Sequence, residues 1–227
     1  MKKTAILFFS QTAAREAASK NFFTKEKNIE FARALISKTQ EHLKSSDLPI
    51  FHSHEGNQSG RNFGERLTHA FQSLFDKGYE SVIAVGNDCP ELENVRWDDV
   101  ETELNLGNAV IGQSARGGAY LIALNKTQFN PATFKALPWC CGQLFESLCA
   151  YTLAQQNGDL HLLAILRDIN SLSDVRQVLR SSKLSSYFKK IVAAISRQIN
   201  LDVPRTFRTV SIFLQSAVSF RGPPYIG

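Results

Sequence analysis

Short apolar runs alternate along this chain with stretches whose apolar residues fall at helical spacing, and few architectures accept that alternation. "TAILFFS" (4–10), "LPIFHSH" (48–54), "SVIAVG" (81–86), "AVIGQ" (109–113) and "AYLIAL" (119–124) read as strands, as does 160–166. Between Glu26 and Ser45, residues Ile29, Ala32, Leu35, Ile36 and Leu43 mark one face of a helix. Gly60 to Lys77 carries Phe63, Leu67, Ala70, Phe71, Leu74 and Phe75 at the same spacing, with Gly78 as a stop. Further helices are expected over 97–105, 141–156 and 172–180. The order predicts an α/β fold, a mostly parallel central sheet with helices on both faces.

Beyond Ser181 the rhythm changes. "LSSYFKKIVAAISRQI" reads as an amphipathic helix, and "VPRTFRTVSIFLQSAVSFRGPPYIG" as an irregular or strand-bearing end. We therefore expect a domain over residues 1–181 and a helical or irregular C-terminal extension over 182–227. The extension holds much of the chain's net charge of +5: Arg180, Lys183, Lys189, Lys190, Arg197, Arg205, Arg208 and Arg221 stand against Asp202 alone. Such a basic appendage suits an anionic partner or self-association. Without interleaved aromatic residues it reads first as a solvated helix face, which argues against nucleic acid.

Several classes are excluded early. No stretch approaches the roughly 18 apolar residues that span a bilayer. "MKKTAILFFSQT" begins like a signal peptide, but its apolar run is short and polar Ser10-Gln11-Thr12 follows, so a first strand is expected. Cys89, Cys140, Cys141 and Cys149 form neither a CxxC pair nor a Cys/His cluster, which argues against structural zinc and a disulfide framework. A reduced, cytoplasmic protein is expected. Cys89, Cys140 and Cys141 read as small packing residues, and His52 and His54, without a third ligand, as structural.

In open α/β sheets, ligands gather outside the carboxyl ends of the strands. "SVIAVG" delivers Asp88 to that edge, and Pro90 stops the chain from continuing. Asp88 then either holds a hard cation together with phosphate oxygens, or caps the following turn. Asp168 again follows an apolar strand, with Asn170 two residues on. Gly117-Gly118, directly before a strand, permits close approach of a ligand or a plain hairpin.

"GNDCPEL", "GQSARGGAYLIAL", "LPWCCGQLFESL" and "LRDINSLSDV", in that order, resemble the motif series of the rSAM/selenodomain-associated transferase family. "QSGRNFGERLTHAF" (58–71) resembles that family's Gly-Glu-Arg-Leu helix start, which places Glu65 and Arg66 on the substrate side. The family is often labelled as arsenosugar-biosynthesis glycosyltransferases, and the likeness covers roughly residues 4 to 180. It implies a Rossmann-like nucleotide-diphospho-sugar transferase (GT-A) fold and a nucleotide-activated donor. Asp88 and Asp168 would be the catalytic acids, holding Mg²⁺ or Mn²⁺ with Asn170 as a third ligand. Gly117, Gly118, Tyr120, Pro138 and Trp139 match the acceptor-side motifs.

The departures are specific. The family's glycine- and proline-bearing phosphate loop is replaced by "SQTAAREAASKNF" (10–22), where Arg15 and Lys20 supply the positive charge. Arg116 stands where an acid is usual, able to meet a phosphate directly. Asn170 replaces the later acid, and Cys140-Cys141 a Ser-Thr pair. The leading expectation is a metal-dependent glycosyltransferase binding a nucleotide sugar. A nucleotidyltransferase of the same fold, or a degenerate member that only binds ligand or partner, stands beside it.

Overall fold

A computed structural model describes residues 3–20, 22–155 and 157–197 of the chain. Strands β1 (Thr4–Phe9), β2 (Ile50–Ser53), β3 (Ser81–Val85), β4 (Ala109–Ser114), β5 (Ala119–Asn125) and β6 (Leu160–Leu166) form one six-stranded sheet in the order β2-β1-β3-β5-β4-β6. β5 pairs antiparallel with both β3 and β4, and the other five strands run one way. The sheet is therefore mostly parallel, as the alternation predicts.

Strand residues alternate between two apolar cores. Ile6, Phe8, Ile83 and Val85 face one, under α2 (Lys25–Lys44) and α4 (Trp97–Asn105). Ala5, Leu7, Val82 and Ala84 face the other, under α3 (Phe63–Asp76), α5 (Pro131–Lys135) and α6 (Leu144–Ala154). Period-two alternation places every second side chain on the same face, so helices cover both.

The expected elements are present with ends shifted by a few residues. Asn62 caps α3 by accepting from the Glu65 N–H at 2.9 Å, which starts the helix after Gly60. Two short helices are additional: α1 (Ala13–Ser19) and α5, the latter begun by Pro131 and capped by Asn130. Proline likewise opens a 3₁₀ turn at Pro90–Asn94.

A third core joins α2, α7 (Leu172–Arg180) and α8 (Ser186–Arg197) through Phe31, Leu35, Val175, Val178, Phe188 and Val192. Glu91 accepts from the Ser181 hydroxyl at 2.6 Å, and Glu93 from the Ser185 N–H at 2.9 Å. The boundary expected at residue 181 thus runs through shared packing. Residues 198–227 of the expected extension lie outside the described residues. Among the described residues no helix is long and apolar enough to cross a membrane.

Candidate functional site

A cavity of about 300 Å³ opens where β1, β3, β4 and β6 end and β5 begins. Its polar wall holds Ser10, Glu16, Gln58, Arg66, Asn87, Asp88, Ser114 and Asp168, and its apolar wall Phe9, Phe63, Tyr120, Trp139 and Leu144. This is the edge at which an open α/β sheet collects ligands.

Asp88 leaves β3 through Gly86-Asn87, and the Pro90 turn leads the chain away. Cys89, not Asp88, is the residue before that turn, and it makes no side-chain cap. The Asp88 carboxylate instead accepts from the Lys20 ammonium. Its backbone carbonyl accepts from the Ile169 N–H at 2.9 Å, so the exit of β6 is pinned beside the exit of β3. That bond brings Asp168 to the wall that carries Asp88. Asp168 Oδ2 accepts from the Asn170 amide, while its Oδ1 is buried without a partner among the described residues. Asn87 Nδ2 is a second buried, unpaired atom on the same wall. A buried polar atom without a partner is costly, and both lie at a cavity able to hold a ligand.

The short helix α1 adds a buried acid, Glu16, beside the expected Lys20 at its C-terminal end. Glu16 and Lys20 lie one turn apart, and the ammonium is 3.5 Å from Glu16 Oε2 and 3.4 Å from the Ile169 carbonyl. Burial pushes the Glu16 carboxyl up and the Asp88 charge adds to this, while Lys20 opposes both. Burial pulls the Lys20 ammonium down, but the Asp88 and Glu16 charges outweigh it and hold its pKa above the ordinary value. The signal was an i, i+4 Glu–Lys pair, which means something only once 13–19 is a helix.

The remaining expected residues divide. Arg66, Gly118, Tyr120 and Trp139 line the cavity. The Tyr120 hydroxyl donates to the Ala164 carbonyl at 2.9 Å, and Trp139 Nε1 to the Phe134 carbonyl at 3.0 Å, so their rings face the cavity while their polar ends are engaged. Arg15 is exposed on α1, off the cavity wall. Glu65 accepts from the Arg61 N–H at 2.8 Å and closes the start of α3. Arg116 is bound by Asp174 rather than turned to the cavity. Gly117 has φ +80°, and a Cβ there would stand 1.9 Å from the Gly142 carbonyl oxygen, so its glycine serves backbone contact. Asn170 is exposed and bonded to Asp168, beside the wall rather than in it.

Oxygen donors at Asp88 and Asp168 suit a hard cation that completes its shell with phosphate and water. Among the described residues no group of three or more His, Cys, Asp or Glu is arranged to hold a metal, so the protein's carboxylate share would be these two. The orphaned Asp168 Oδ1 fits that role. Cys89 is buried, and burial pushes its thiol far above the usual range, which removes it as a nucleophile.

Residues 25–141, just over half of the chain, match the family described as "Uncharacterized protein conserved in bacteria (DUF2064)". The chain belongs to the DUF2064 family. No curated protein matches it. Among solved structures it is similar to a candidate nucleotide-diphospho-sugar transferase from Desulfovibrio desulfuricans G20, at 21% identity and a TM-score of 0.72 over 87% of this chain and 98% of that one. At that identity the likeness shows the fold: this DUF2064 chain has the architecture of that transferase. Rv0371c from Mycobacterium tuberculosis H37Rv matches at 12% identity, with a TM-score of 0.47 over 79% of this chain and 100% of that one. A glycosyltransferase involved in glycosylating the major capsid of PBCV-1 matches at 12% identity, with a TM-score of 0.40 over 70% and 82%.

Proposed function

We propose that this chain is a glycosyltransferase of the rSAM/selenodomain-associated kind, taking its sugar from a nucleotide-activated donor with the help of Mg²⁺ or Mn²⁺. The observation that carries the reading is the pairing of Asp88 and Asp168 on one cavity wall, with Asp168 Oδ1 buried and unpaired. Glu16, Asp88 and Asp168 line the cavity against Arg66 as its lining cation. A diphosphate entering such a wall meets acids that Lys20 and Arg66 offset only in part, and Asp88 and Asp168 would hold a divalent cation there to supply the remaining positive charge. Bound there, the cation would also stabilise the departing diphosphate as a Lewis acid.

The chain's own residues set the rest. Asp88 and Asp168 would hold the cation that neutralises the phosphates. Arg66 offers a guanidinium to anionic oxygens, and the unpaired Asn87 amide a donor. The Trp139 and Phe63 rings, with centroids 5.6 Å apart, form the apolar side on which a sugar or base face can rest and from which water is excluded. In the reaction the bond from the anomeric carbon to the diphosphate breaks, its electron pair leaving with the nucleoside diphosphate, and a bond to an acceptor hydroxyl oxygen forms as that hydroxyl gives up its proton.

A thermal-shift and calorimetric screen of nucleotide sugars and nucleoside triphosphates, with and without Mn²⁺, tests this reading. The expected result is stabilisation by a nucleotide sugar only with the cation, abolished by Asp88→Ala. Stabilisation by triphosphates alone moves the assignment to nucleotidyl transfer. Binding unchanged in Asp88→Ala overturns it.

A further inference from the structure

Asp88 is already paired with a cation belonging to the chain itself. The Lys20 side chain is 11% exposed, and its ammonium reaches Asp88, Glu16 and the Ile169 carbonyl. Its stem is packed and its donors are aimed at the exits of β3 and β6, the wall assigned above to a divalent cation. A buried ammonium persists only where carboxylates compensate it, and here two do.

We propose that Lys20 is a built-in competitor for the Asp88 site, so that the free protein binds a divalent cation weakly and takes it up only with an anionic ligand. The proposal rests on the reading of Asp88 as a cation ligand and assigns Lys20 the regulation of that site. A dication at Asp88 must either displace the ammonium or sit beside it, and both cost affinity: the first strips a buried ammonium of its half-exposed Asp88 partner, the second sets like charges together beside that ammonium. A diphosphate arriving with the cation brings the negative charge that offsets both. Cation and nucleotide then bind as a coupled pair, each raising the affinity of the other by the same factor.

The test is Mn²⁺ binding in the absence of nucleotide, followed by calorimetry and by the loss of the free-ion paramagnetic resonance signal. Lys20→Met is expected to bind Mn²⁺ on the order of tenfold or more tightly than the parent chain. Lys20→Arg, which keeps the charge, should bind no more tightly than the parent. Adding Asp88→Asn to Lys20→Met should remove the gain. Should Lys20→Met fail to fold by circular dichroism, Glu16→Gln with Lys20→Met removes one buried acid with the cation and carries the same comparison. Equal Mn²⁺ affinity in the parent and the methionine variant overturns the proposal, as does a gain that survives Asp88→Asn. A protein that gains Mn²⁺ in this way yet binds no nucleotide sugar would leave the proposal standing and the transferase reading refuted.

Discussion

One nitrogen of Arg116, Nη2, donates to both carboxylate oxygens of Asp174, at 2.7 and 2.6 Å, and Asp174 is 4% exposed where Arg116 is 50% exposed. The pair ties the β4–β5 turn to the start of α7, and Asp174 Oδ2 also accepts from the Asn170 N–H and the Ser171 hydroxyl. The two partners should therefore differ in stability cost. Asp174→Ala strips three donors of their acceptor and should cost about 2–3 kcal/mol. Arg116→Ala leaves the carboxylate its other two donors and removes a half-exposed ion pair, for under about 1 kcal/mol. Urea unfolding of both variants decides it, and equal costs would contradict the asymmetry.

The Gly117 backbone presses on Gly142, and the pressure runs one way. A Cβ at Gly117 would meet the Gly142 carbonyl oxygen at 1.9 Å, with φ at +80°, whereas one at Gly142 would find the Arg116 carbonyl at an ordinary 3.6 Å. Gly117→Ala should destabilise by about 2–4 kcal/mol, combining left-handed strain with overpacking. Gly142→Ala should stay within about 0.5 kcal/mol of the parent. The midpoints of thermal unfolding check both.

The architecture was legible because strands and helices announce themselves locally. Ile6 and Phe8 against Ala5 and Leu7, or Leu67, Phe71 and Leu74, carry their periods within a dozen residues. Asp88 was legible for the same reason, as an acid ending an apolar run. Its partner was not. Lys20 lies 68 positions away in sequence, just past a helix of seven mostly small residues with no apolar stripe to reveal it. Arg116 looked free for a phosphate because Asp174, its partner, is 58 positions distant and reads locally as an acid in the first turn of α7. Long-range ion pairs leave no periodic trace, so the charges of the site were named while their pairing stayed hidden.

Helix α8 should behave as part of the folded body. Phe188 is 3% exposed in the core shared with α2 and α7, and the Lys38 ammonium sits 4.8 Å from its ring centroid. Phe188→Ala should cost about 3–5 kcal/mol. It should lower a single cooperative transition rather than melt α8 alone. Far-ultraviolet circular dichroism and intrinsic fluorescence followed together would show coincident curves in the parent and the variant, and separated curves would detach α8 from the domain.

His42 gives the fold a pH dependence. Its ring lies 4.8 Å from that of Trp97 and its Nε2 is 3.1 Å from the Val95 carbonyl. Burial lowers its pKa, against the opposing pull of the Val95 carbonyl and Glu93. The folded state therefore resists a proton that the unfolded chain accepts near its ordinary value of about 6.5. Stability is full above that value and falls as pH drops towards the depressed folded pKa. His42→Gln should flatten the decline on the acid side of about pH 6.5, seen in unfolding midpoints measured across that range. An unchanged slope would mean that the ring titrates freely in the fold.

Thiol chemistry can report on the cavity without any assay of turnover. Cys140 and Cys141 are exposed, but Cys140 alone of the two lines the cavity, where its backbone takes φ +62°. Cys89 lines it too, yet it is buried with its thiol pushed far up, so it should react only on unfolding. In a Cys141→Ser background the fast-reacting thiol at this bend is Cys140. Nucleotide sugar with Mn²⁺ should slow its modification by a chromogenic disulfide in proportion to occupancy, because the ligand covers the wall it stands on. In the Cys140→Ser counterpart, Cys141 should react at the same rate with and without ligand. Protection of both thiols alike would point to closure of the whole 138–143 segment, and protection of neither would place the nucleotide sugar outside this cavity.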